Sequence, residues 1–322
     1  MQIEAAISEN LYEQAPFPSC HAATIVETEE GLVASFFGGT RERNPDVCIW
    51  VVRHVDGSWT EPTQVADGVQ DDGTRQPTWN PVLFQPRSGP LMLFYKVGPS
   101  PSTWWGMFKT SRNNGRTWSD AVRLPDGILG PIKNKPIQLA DGTIISPSST
   151  ESPTDGWRLH FERSTDGGKT WTATSPVENP EGVKAIQPSI LIHPGDKLQA
   201  IGRTKSKKVF STWSTDNGQT WEKLTLLDVP NPNSGTDAVT LNDGTHLLVY
   251  NHSDSFRYPL NVALSEDGIH WNSVAVLDSE PTGQYSYPAV IQAKDGLIHI
   301  VYTWKRLKMK YAMLDLAALE RV

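Results

Sequence analysis

An eight-residue motif that recurs along the chain limits the folds that it can adopt. Ser111–Trp118, Ser164–Trp171 and Ser214–Trp221 all follow the pattern S-x-[DN]-x-G-x-T-W, and Ser265–Trp271 is the same motif one residue shorter. Arg53–Trp59 is a degraded copy. The copies are spaced by roughly 50 residues, a period typical of the blades of a β-propeller.

A second pattern recurs in step with the motif: an apolar strand, a tight turn that contains Gly, and another apolar strand. Asp-Gly between apolar runs is a strong signal for a β-hairpin. The six turns lie at Glu30-Gly31, Ser88-Gly89, Asp141-Gly142, Pro194-Gly195, Asp243-Gly244 and Asp295-Gly296. We therefore predict an all-β protein, a single six-bladed β-propeller domain over residues 1–322.

The two ends of the chain suggest how the propeller ring is closed. The sixth blade has no copy of the motif after Trp304, and the chain ends in the apolar run Lys310–Leu314. Another such run, Gln2–Ile7, stands near its start. Pairing of these two strands would close the ring and remove an exposed sheet edge.

The motif residues themselves have structural duties. Asp or Asn accepts backbone N–H groups across the turn, and Gly supplies a positive φ. The Trp can then fold back onto the blade as an apolar plug. We expect no catalytic role for them.

Composition excludes several classes of function. The net charge of −7 argues against nucleic acid as the main partner, although the basic run Lys305–Lys310 departs from it. We interpret that run as an edge strand with solvated charges, or as a local attraction for an anionic ligand.

No apolar run approaches the length of a membrane span, and no secretory signal opens the chain. With only two Cys, a cytoplasmic location is expected. No metal-binding cluster or phosphate-binding loop stands out, so no cofactor is predicted.

Polar and aromatic residues open the six predicted inner strands and end the second strands, on one face of the propeller. A propeller gathers its inner strands around a central channel, so these residues should line a pocket. The pocket is rich in cations although the chain is acidic, which favours a small anionic ligand such as an acidic sugar. The candidate substrate-binding residues are Arg41, Asn80, Trp104, Lys133, Lys135, Arg203, Asp237, His252, Arg257 and Tyr287.

The motif copies and the six-hairpin register resemble the sialidase (neuraminidase) superfamily, in which such motifs are called Asp boxes. Nearly the whole chain looks like the short "predicted neuraminidase" proteins of bacteria and plants. The segments that carry this closer likeness are Cys20–Ala22, Phe37–Arg41, Asn44–Asp46, Gly130–Pro136, Asn231–Asp237, Tyr250–His252 and Tyr285–Pro288.

The resemblance implies a site of known layout. Sialidases hold the substrate carboxylate with three arginines and use a Tyr nucleophile, which a Glu activates, and an Asp acid/base. By motif, Asp46 matches the acid/base and Tyr285 the nucleophile. Arg203 and Arg257 match the second and third arginines.

Two positions depart from that layout. His21 stands where the first arginine is expected, and Gln187 stands where the activating Glu is expected. A Tyr nucleophile needs a base, because its pKa is about 10. Gln187 cannot accept the proton, whereas His21 can if it lies within reach of Tyr285. Tyr285 and Tyr287 share one strand, and we expect one to face the channel and the other to pack between blades.

Three functions fit these residues. The first is an exo-acting glycoside hydrolase for an acidic terminal sugar, with Asp46 as acid/base and Tyr285 as nucleophile, helped by His21. The second is a lyase that cleaves a uronic acid linkage by β-elimination, in which arginines neutralise the carboxylate and His21 or Tyr285 removes the adjacent proton. The third is a sugar-binding propeller without catalysis.

Overall fold

A computed structural model describes residues 4–318, which form 25 β-strands and two short 3₁₀ helices. The strands of the first half are β1 (Ile7–Asn10), β2 (Ser19–Thr28), β3 (Gly31–Gly39), β4 (Cys48–Val55), β5 (Ser58–Trp59), β6 (Thr63–Ala66), β7 (Thr78–Phe84), β8 (Leu91–Val97), β9 (Trp105–Ser111), β10 (Val122–Arg123), β11 (Ile137–Gln138), β12 (Ile144–Ser152), β13 (Gly156–Ser164) and β14 (Thr172–Ala173).

The second half continues the series with shorter connections. Its strands are β15 (Ala185–Ile192), β16 (Leu198–Thr204), β17 (Lys208–Ser214), β18 (Thr225–Pro230), β19 (Asp237–Thr240), β20 (His246–Asn251), β21 (Leu260–Ser265), β22 (Asn272–Asp278), β23 (Tyr285–Gln292), β24 (Ile298–Trp304) and β25 (Lys308–Leu314). The 3₁₀ helices are Pro194–Asp196 and Leu316–Ala318. No helix among residues 4–318 is long and apolar enough to cross a membrane.

These strands form six antiparallel sheets, the six predicted blades. Blade one contains β2 to β6, blade two β7 to β10, blade three β11 to β14, blade four β15 to β18 and blade five β19 to β22. Blade six contains β23, β24, β25 and β1. The predicted all-β, six-bladed propeller is confirmed.

The ring is closed by the two ends of the chain, as predicted, but with a different strand at the amino end. β1 pairs with β25 as the outer strand of blade six, with Ile7 opposite Met313 and Asn10 opposite Lys310. The pairing strand is therefore Ile7–Asn10 and not Gln2–Ile7. Gln2 and Ile3 lie outside the described residues.

Register places the candidate residues on one face. In blade one the start of the inner strand pairs with the end of the second, Ser19 opposite Gly39. Blades four and six repeat this pairing, with Ala185 opposite Thr204 and Tyr285 opposite Trp304. Inner-strand starts and the loops after the second strands therefore share a face of the ring, called here the site face.

The repeated motif lies on the opposite face, between the third and fourth strands of its blades. In blade three, Asp166 Oδ1 accepts the N–H groups of Lys169 at 3.0 Å and Thr170 at 2.9 Å. The motif Trp packs on the preceding blade: Trp221 stacks on Phe161 with ring centroids 3.7 Å apart. The tryptophans are thus plugs between blades.

A β-bulge interrupts four of the six inner strands and turns a side chain toward the axis. Each bulge contains a residue other than Gly with positive φ, a backbone conformation that costs roughly 1–3 kcal/mol and clusters at functional sites. The four residues are Ala22, Asn80, Gln187 and Tyr287. A proline follows the last three, and proline, which has no N–H to donate, suits a bulge in a strand.

Candidate active site

Tyr287 stands at the centre of the polar cluster where the inner strands meet. Its hydroxyl accepts a hydrogen bond from Arg203 Nη1 at 2.6 Å and lies 3.3 Å from Gln187 Nε2, which also donates to it. The His21 ring packs against the phenol with centroids 4.1 Å apart. Blades one, four and six thus contribute to one site around a single phenol.

Two guanidinium groups face Tyr287, and Asn233 holds both. The Asn233 side chain accepts from Arg203 Nε at 2.8 Å, and its carbonyl accepts from Arg257 Nη2 at 3.2 Å. The Arg257 Cζ lies 5.9 Å from the centroid of the Tyr287 ring. Arg257 Nη1 is buried and finds no hydrogen-bond partner within residues 4–318. Because an unpaired buried donor is costly, this nitrogen is a ready binding point for an anion.

Lys133 lies beneath these groups. Its ammonium donates to Asn134 Oδ1 at 2.8 Å, to the Thr236 carbonyl at 2.9 Å and to the Pro288 carbonyl, and so joins blades three, five and six. Burial lowers the pKa of Lys133 to about 7, although Asp237 opposes the shift. Since its three N–H groups are engaged with protein oxygens, Lys133 supports the site and adds to its positive potential.

A glycine keeps the centre of the cluster open. A Cβ placed on Gly235 would lie 3.1 Å from Lys133 Cε, 3.2 Å from Tyr287 Cδ2 and 3.3 Å from Gln187 Oε1. Such distances are tighter than ordinary carbon contacts, so any larger residue would crowd three site residues together.

The loop that carries Lys133 is fixed by a buried carboxylate and a buried lysine. Glu162 accepts the N–H groups of Leu129 and Gly130, both at 2.7 Å. Lys96 Nζ donates to the Pro131 carbonyl at 2.9 Å. Lys96 is therefore buried below the loop and acts on the site through it.

His21 is a neutral imidazole. It is buried, and its Nδ1 shares a hydrogen bond of 2.9 Å with Thr303 Oγ1. Burial holds the pKa of His21 well below its usual value, and the neighbouring cations Arg306, Arg257, Arg203 and Lys133 lower it further. His21 therefore carries no positive charge with which to bind a substrate.

Tyr285 does not face the cluster, which corrects the expected position of the tyrosine. Its side chain is buried in the apolar core between blades five and six, with Val262, Leu260 and Tyr302. Burial, with Asp278 and Glu280 nearby, raises its pKa to about 12. The bulge at Tyr287 reverses the alternation of side chains along β23, so the two tyrosines point in different directions.

Asp46 lies on the site face, in the exposed loop between β3 and β4. One carboxylate oxygen accepts both the N–H of Thr40 at 2.8 Å and its hydroxyl at 2.7 Å. Partial burial raises the pKa of Asp46, but these bonds outweigh it and the net pKa lies below its usual value. The exposed Arg41 belongs to the same loop.

Asp237 and Lys135 form a buried structural link rather than an open binding point. Asp237 accepts from Lys135 Nζ, Ser189 Oγ and the N–H of Val290, each at 2.9 Å. These bonds join blades three, four, five and six. With its oxygens engaged by the protein, Asp237 has little capacity to bind a substrate.

The remaining predicted residues lie around the cluster. Asn80 occupies the bulge of blade two, equivalent to Gln187 and Tyr287. Trp104 lines a pocket of about 290 Å³ between blades two and three. His252 is exposed on the loop after β20, where its Nδ1 contacts the Tyr250 hydroxyl. Within residues 4–318, no group of three or more His, Cys, Asp or Glu residues is arranged to hold a metal ion.

The structure adds two charged residues to the predicted set. Glu151 lies at the end of β12 opposite Trp157, whose ring centroid is 5.3 Å from the Arg203 Cζ. Burial raises the pKa of Glu151, although Arg203 pulls it down. Arg306, in the turn after β24, contacts Glu42 in the β3–β4 loop. The position of each after a second strand is the signal that could have identified them.

The fold and the site can now be compared with known proteins. A family model described as BNR repeat-like domain matches residues 30–300. The chain belongs to the BNR repeat-like family. This BNR propeller is 23% identical over 252 residues to an anhydrosialidase of Macrobdella decora, a match that spans 67% of the chain and 32% of that protein. It is 29% identical over 138 residues to a sialidase of Paraclostridium sordellii, which spans 38% of the chain and 33% of that protein. The BNR propeller thus covers about a third of each curated relative.

Solved structures show the same propeller. The leech intramolecular trans-sialidase superimposes with a TM-score of 0.79 at 13% identity, over 98% of this BNR propeller and 71% of that chain. The intramolecular trans-sialidase of Ruminococcus gnavus superimposes with a TM-score of 0.76 at 16% identity, over 94% of this BNR propeller and 96% of that chain. A protein of unknown function from Dyadobacter fermentans superimposes with a TM-score of 0.79 at 17% identity, over 97% of this BNR propeller and 99% of that chain. At these identities the likeness establishes the fold, and the fold is that of a sialidase-like BNR propeller.

Proposed function

We propose that this BNR propeller is a glycoside hydrolase that removes an acidic terminal sugar from an oligosaccharide. The observation that carries the proposal is the setting of Tyr287, whose hydroxyl lies 2.6 Å from Arg203 with Arg257 over its ring. A nucleophile and two carboxylate-binding cations are thus gathered at one point. The names of the two curated relatives, an anhydrosialidase and a sialidase, support an acidic sugar.

The arginines bind and orient the sugar. Arg257 Nη1, which has no hydrogen-bond partner within residues 4–318, is the first binding point for a carboxylate oxygen. Arg203 is held by Asn233, so its guanidinium is oriented before the ligand arrives. Planar guanidinium groups bind carboxylates with directional, charge-assisted hydrogen bonds, which gives geometry as well as affinity.

Tyr287 then attacks the anomeric carbon. Its hydroxyl proton must leave, and Gln187 has no basic group to accept it. Arg203 stays hydrogen-bonded to the Tyr287 oxygen as the proton leaves. Neutral His21, whose ring centroid lies 4.1 Å from that of the phenol, is the proposed base. A phenol suits an anomeric carbon that bears a carboxylate, because the neutral nucleophile adds no like charge there.

Asp46 is proposed as the acid that protonates the leaving oxygen and later activates water. The carboxylate lies in a loop on the site face, and its two hydrogen bonds to Thr40 must break before it can donate a proton. Breaking them allows the pKa of Asp46 to rise toward that of a useful acid.

A second candidate is β-elimination of a uronic acid, favoured by the pairing of His21 with Tyr287 and by Gln187 at the place of the activating Glu. A base removes the proton beside the carboxylate, the electrons form a C=C bond, and the C–O bond to the leaving sugar breaks as an acid protonates that oxygen. His21 and Tyr287 would share these two roles, while Arg203 and Arg257 stabilise the negative charge.

Mass spectrometry of the products separates these functions. The protein is incubated with oligosaccharides capped by sialic acid or by glucuronic acid. Products whose masses sum to substrate plus water establish hydrolysis. Products that sum to substrate alone, with one unsaturated sugar, establish elimination and reject the hydrolase. Unchanged oligosaccharides that still bind the protein would leave a sugar-binding propeller.

A further inference from the structure

Two histidines join blades four and five on the face of the ring opposite the site face. His193 follows the last residue of β15 in blade four, and His246 is the first residue of β20 in blade five. The Nε2 of His246 lies 3.2 Å from the Nδ1 of His193. His246 is buried and His193 is half-buried, so the contact between the two rings is largely shielded from water.

The pair belongs to a chain of hydrogen bonds that runs through both blades. The Nε2 of His193 lies 2.9 Å from Gln199 Oε1, and Gln199 Nε2 donates to the Gly268 carbonyl at 2.9 Å. At the other end, the Nδ1 of His246 lies 3.0 Å from Thr240 Oγ1. Since Gly268 belongs to the repeated motif of blade five, the chain crosses the junction between the blades twice.

The Gly268 carbonyl fixes the direction of the donors along this chain. A carbonyl oxygen only accepts, so the amide nitrogen of Gln199 must face Gly268 and its amide oxygen must face His193. When both rings are neutral, His193 therefore donates from Nε2 and accepts at Nδ1. His246 likewise donates from Nε2 and accepts at Nδ1 from the Thr240 hydroxyl.

The chain can take up one proton but not two. When a proton binds Nδ1 of His246, the proton on its Nε2 can pass to Nδ1 of His193, and the Thr240 hydroxyl turns to accept. Thr240 Oγ1 already accepts the N–H of Ile192 at 2.9 Å and has a second lone pair for this purpose. A second proton leaves two N–H groups, on two charged rings, facing each other across 3.2 Å. Like charges at that distance repel.

The charged and titratable groups around the pair come from both blades. They are Lys197 of blade four and Asp243, Asp267 and His270 of blade five. Asp267 accepts from Nδ1 of His270 at 2.7 Å and from backbone N–H groups of its own turn. Burial lowers the pKa of both His193 and His246, and the second falls to about 4 with the help of the neighbouring ring.

We propose that His193 and His246 form an acid-sensitive contact that holds blades four and five together and opens when both rings are protonated. The inference is independent of the proposed function, because the pair lies on the face opposite the pocket. It makes this junction the part of the ring that should loosen first in acid.

NMR of protein that carries isotope-labelled histidine tests the hydrogen-bond chain in the wild type. At about pH 8, above the usual pKa of histidine, both rings should carry their proton on Nε2 and none on Nδ1. The resonances are assigned with His193→Gln and His246→Gln. A proton on Nδ1 of either ring at this pH overturns the proposal.

Hydrogen exchange followed by mass spectrometry tests the opening. Wild type, the two single variants and the double variant are compared at about pH 7 and about pH 3.5, with rates corrected for intrinsic exchange. Glutamine keeps a donor and an acceptor but does not titrate. His54→Gln is the matched control, a half-buried histidine in blade one. Melting temperatures at neutral pH establish that each variant is folded.

The sign of the effect follows from the lowered pKa values. Above about pH 6.5 both rings are neutral in the closed and open states. As the pH falls from there to about 4, the open state binds protons first, so acid favours opening. In wild type and His54→Gln, protection of β15, β16, β19 and β20 should therefore fall at least about 10-fold between the two pH values.

Either single variant should lose most of this acid sensitivity, because opening needs two charged rings. Protection of the same strands should fall by less than about 3-fold, and the double variant should match the single ones. Half of the wild-type loss in each single variant would show two independent histidines and overturn the proposal. Equal losses in all the proteins, or a loss spread over all six blades, would also overturn it.

Discussion

Arg203 donates a hydrogen bond of 2.6 Å from its Nη1 to the hydroxyl of Tyr287. The same nitrogen lies 3.3 Å from Gln187 Oε1, so one guanidinium joins blades four and six at the axis. In the proposed mechanism, this contact links substrate binding by Arg203 to the nucleophile Tyr287.

Removing the Tyr287 hydroxyl should abolish turnover. We expect Tyr287→Phe to lower kcat by at least about 10³-fold, because the phenol oxygen is the proposed attacking atom. Tyr285→Phe is the matched control on the same strand, and its kcat should stay within about 3-fold of wild type. Rates of sugar release by chromatography check both. Strong loss in Tyr285→Phe alone would return the nucleophile to that residue.

Supplying the missing carboxylate should accelerate hydrolysis. Gln187→Glu places a base on the side chain that now donates to Tyr287 at 3.3 Å. We expect kcat for hydrolysis to rise by about 10-fold or more, whereas Gln187→Asn, which is too short to reach, should not gain. Initial rates across pH measure the effect. A fall in rate with Gln187→Glu contradicts the proposed activation of Tyr287.

The acid can be identified by comparing two carboxylates. Asp46→Asn should lower the rate about 10²- to 10⁴-fold on sugars with poor leaving groups and much less on aryl glycosides. Glu151→Gln should change the rate by less than about 10-fold. The opposite pattern would assign the acid to Glu151, whose pKa burial raises.

The same assignment predicts the shape of the pH profile. An acid must be protonated to donate, and the net pKa of Asp46 lies below its usual value. Activity should therefore be highest at strongly acid pH and fall as the pH rises through the pKa of Asp46, well before neutral pH is reached.

The buried ammonium of Lys96 should lower the free energy of unfolding at neutral and acid pH. Burial lowers its pKa to about 7, against about 10.4 in the unfolded chain. Below pH 7 the lysine is charged in both states, so the folded protein carries the full cost of burying the ammonium. Between pH 7 and about 10 the folded state sheds the proton first, and that cost disappears as pH rises.

Lys96→Met should therefore be more stable than wild type by roughly 1–3 kcal/mol at pH 6, with a smaller difference at pH 9. Urea unfolding at the two pH values measures it, and Lys133, with a similar pKa, cancels in the comparison. Lys223→Met, at an exposed position, is the control and should show no such gain. Equal effects at both pH values would contradict this origin.

Most of the scaffold could be predicted from the sequence, because hairpins and repeated turns are local features. Asp295-Gly296 and its five counterparts gave the number of blades without knowledge of any contact between them. The closing strand was placed a few residues too early, since Gln2–Ile7 and Ile7–Asn10 have similar patterns and only the pairing with β25 distinguishes them.

The arrangement of the site residues was predicted less completely than the scaffold. Tyr287 precedes Pro288, as Gln187 precedes Pro188, and this local signal of a bulge would have selected it over Tyr285. Arg306 follows the second strand of blade six, so its sequence position alone predicts that it lies on the site face. Its place beside His21 depends on a contact between blades one and six, which local sequence patterns do not contain.

Because the two ends of the chain share blade six, the pocket lies across the junction that closes the ring. The bond between His21 and Thr303 joins residues 282 positions apart. Contacts of such separation form slowly, since the chain between them must be ordered first. Recovery of turnover should therefore lag behind recovery of tryptophan fluorescence when the unfolded protein is diluted into buffer. The rate at which activity returns would then report how fast the ring closes.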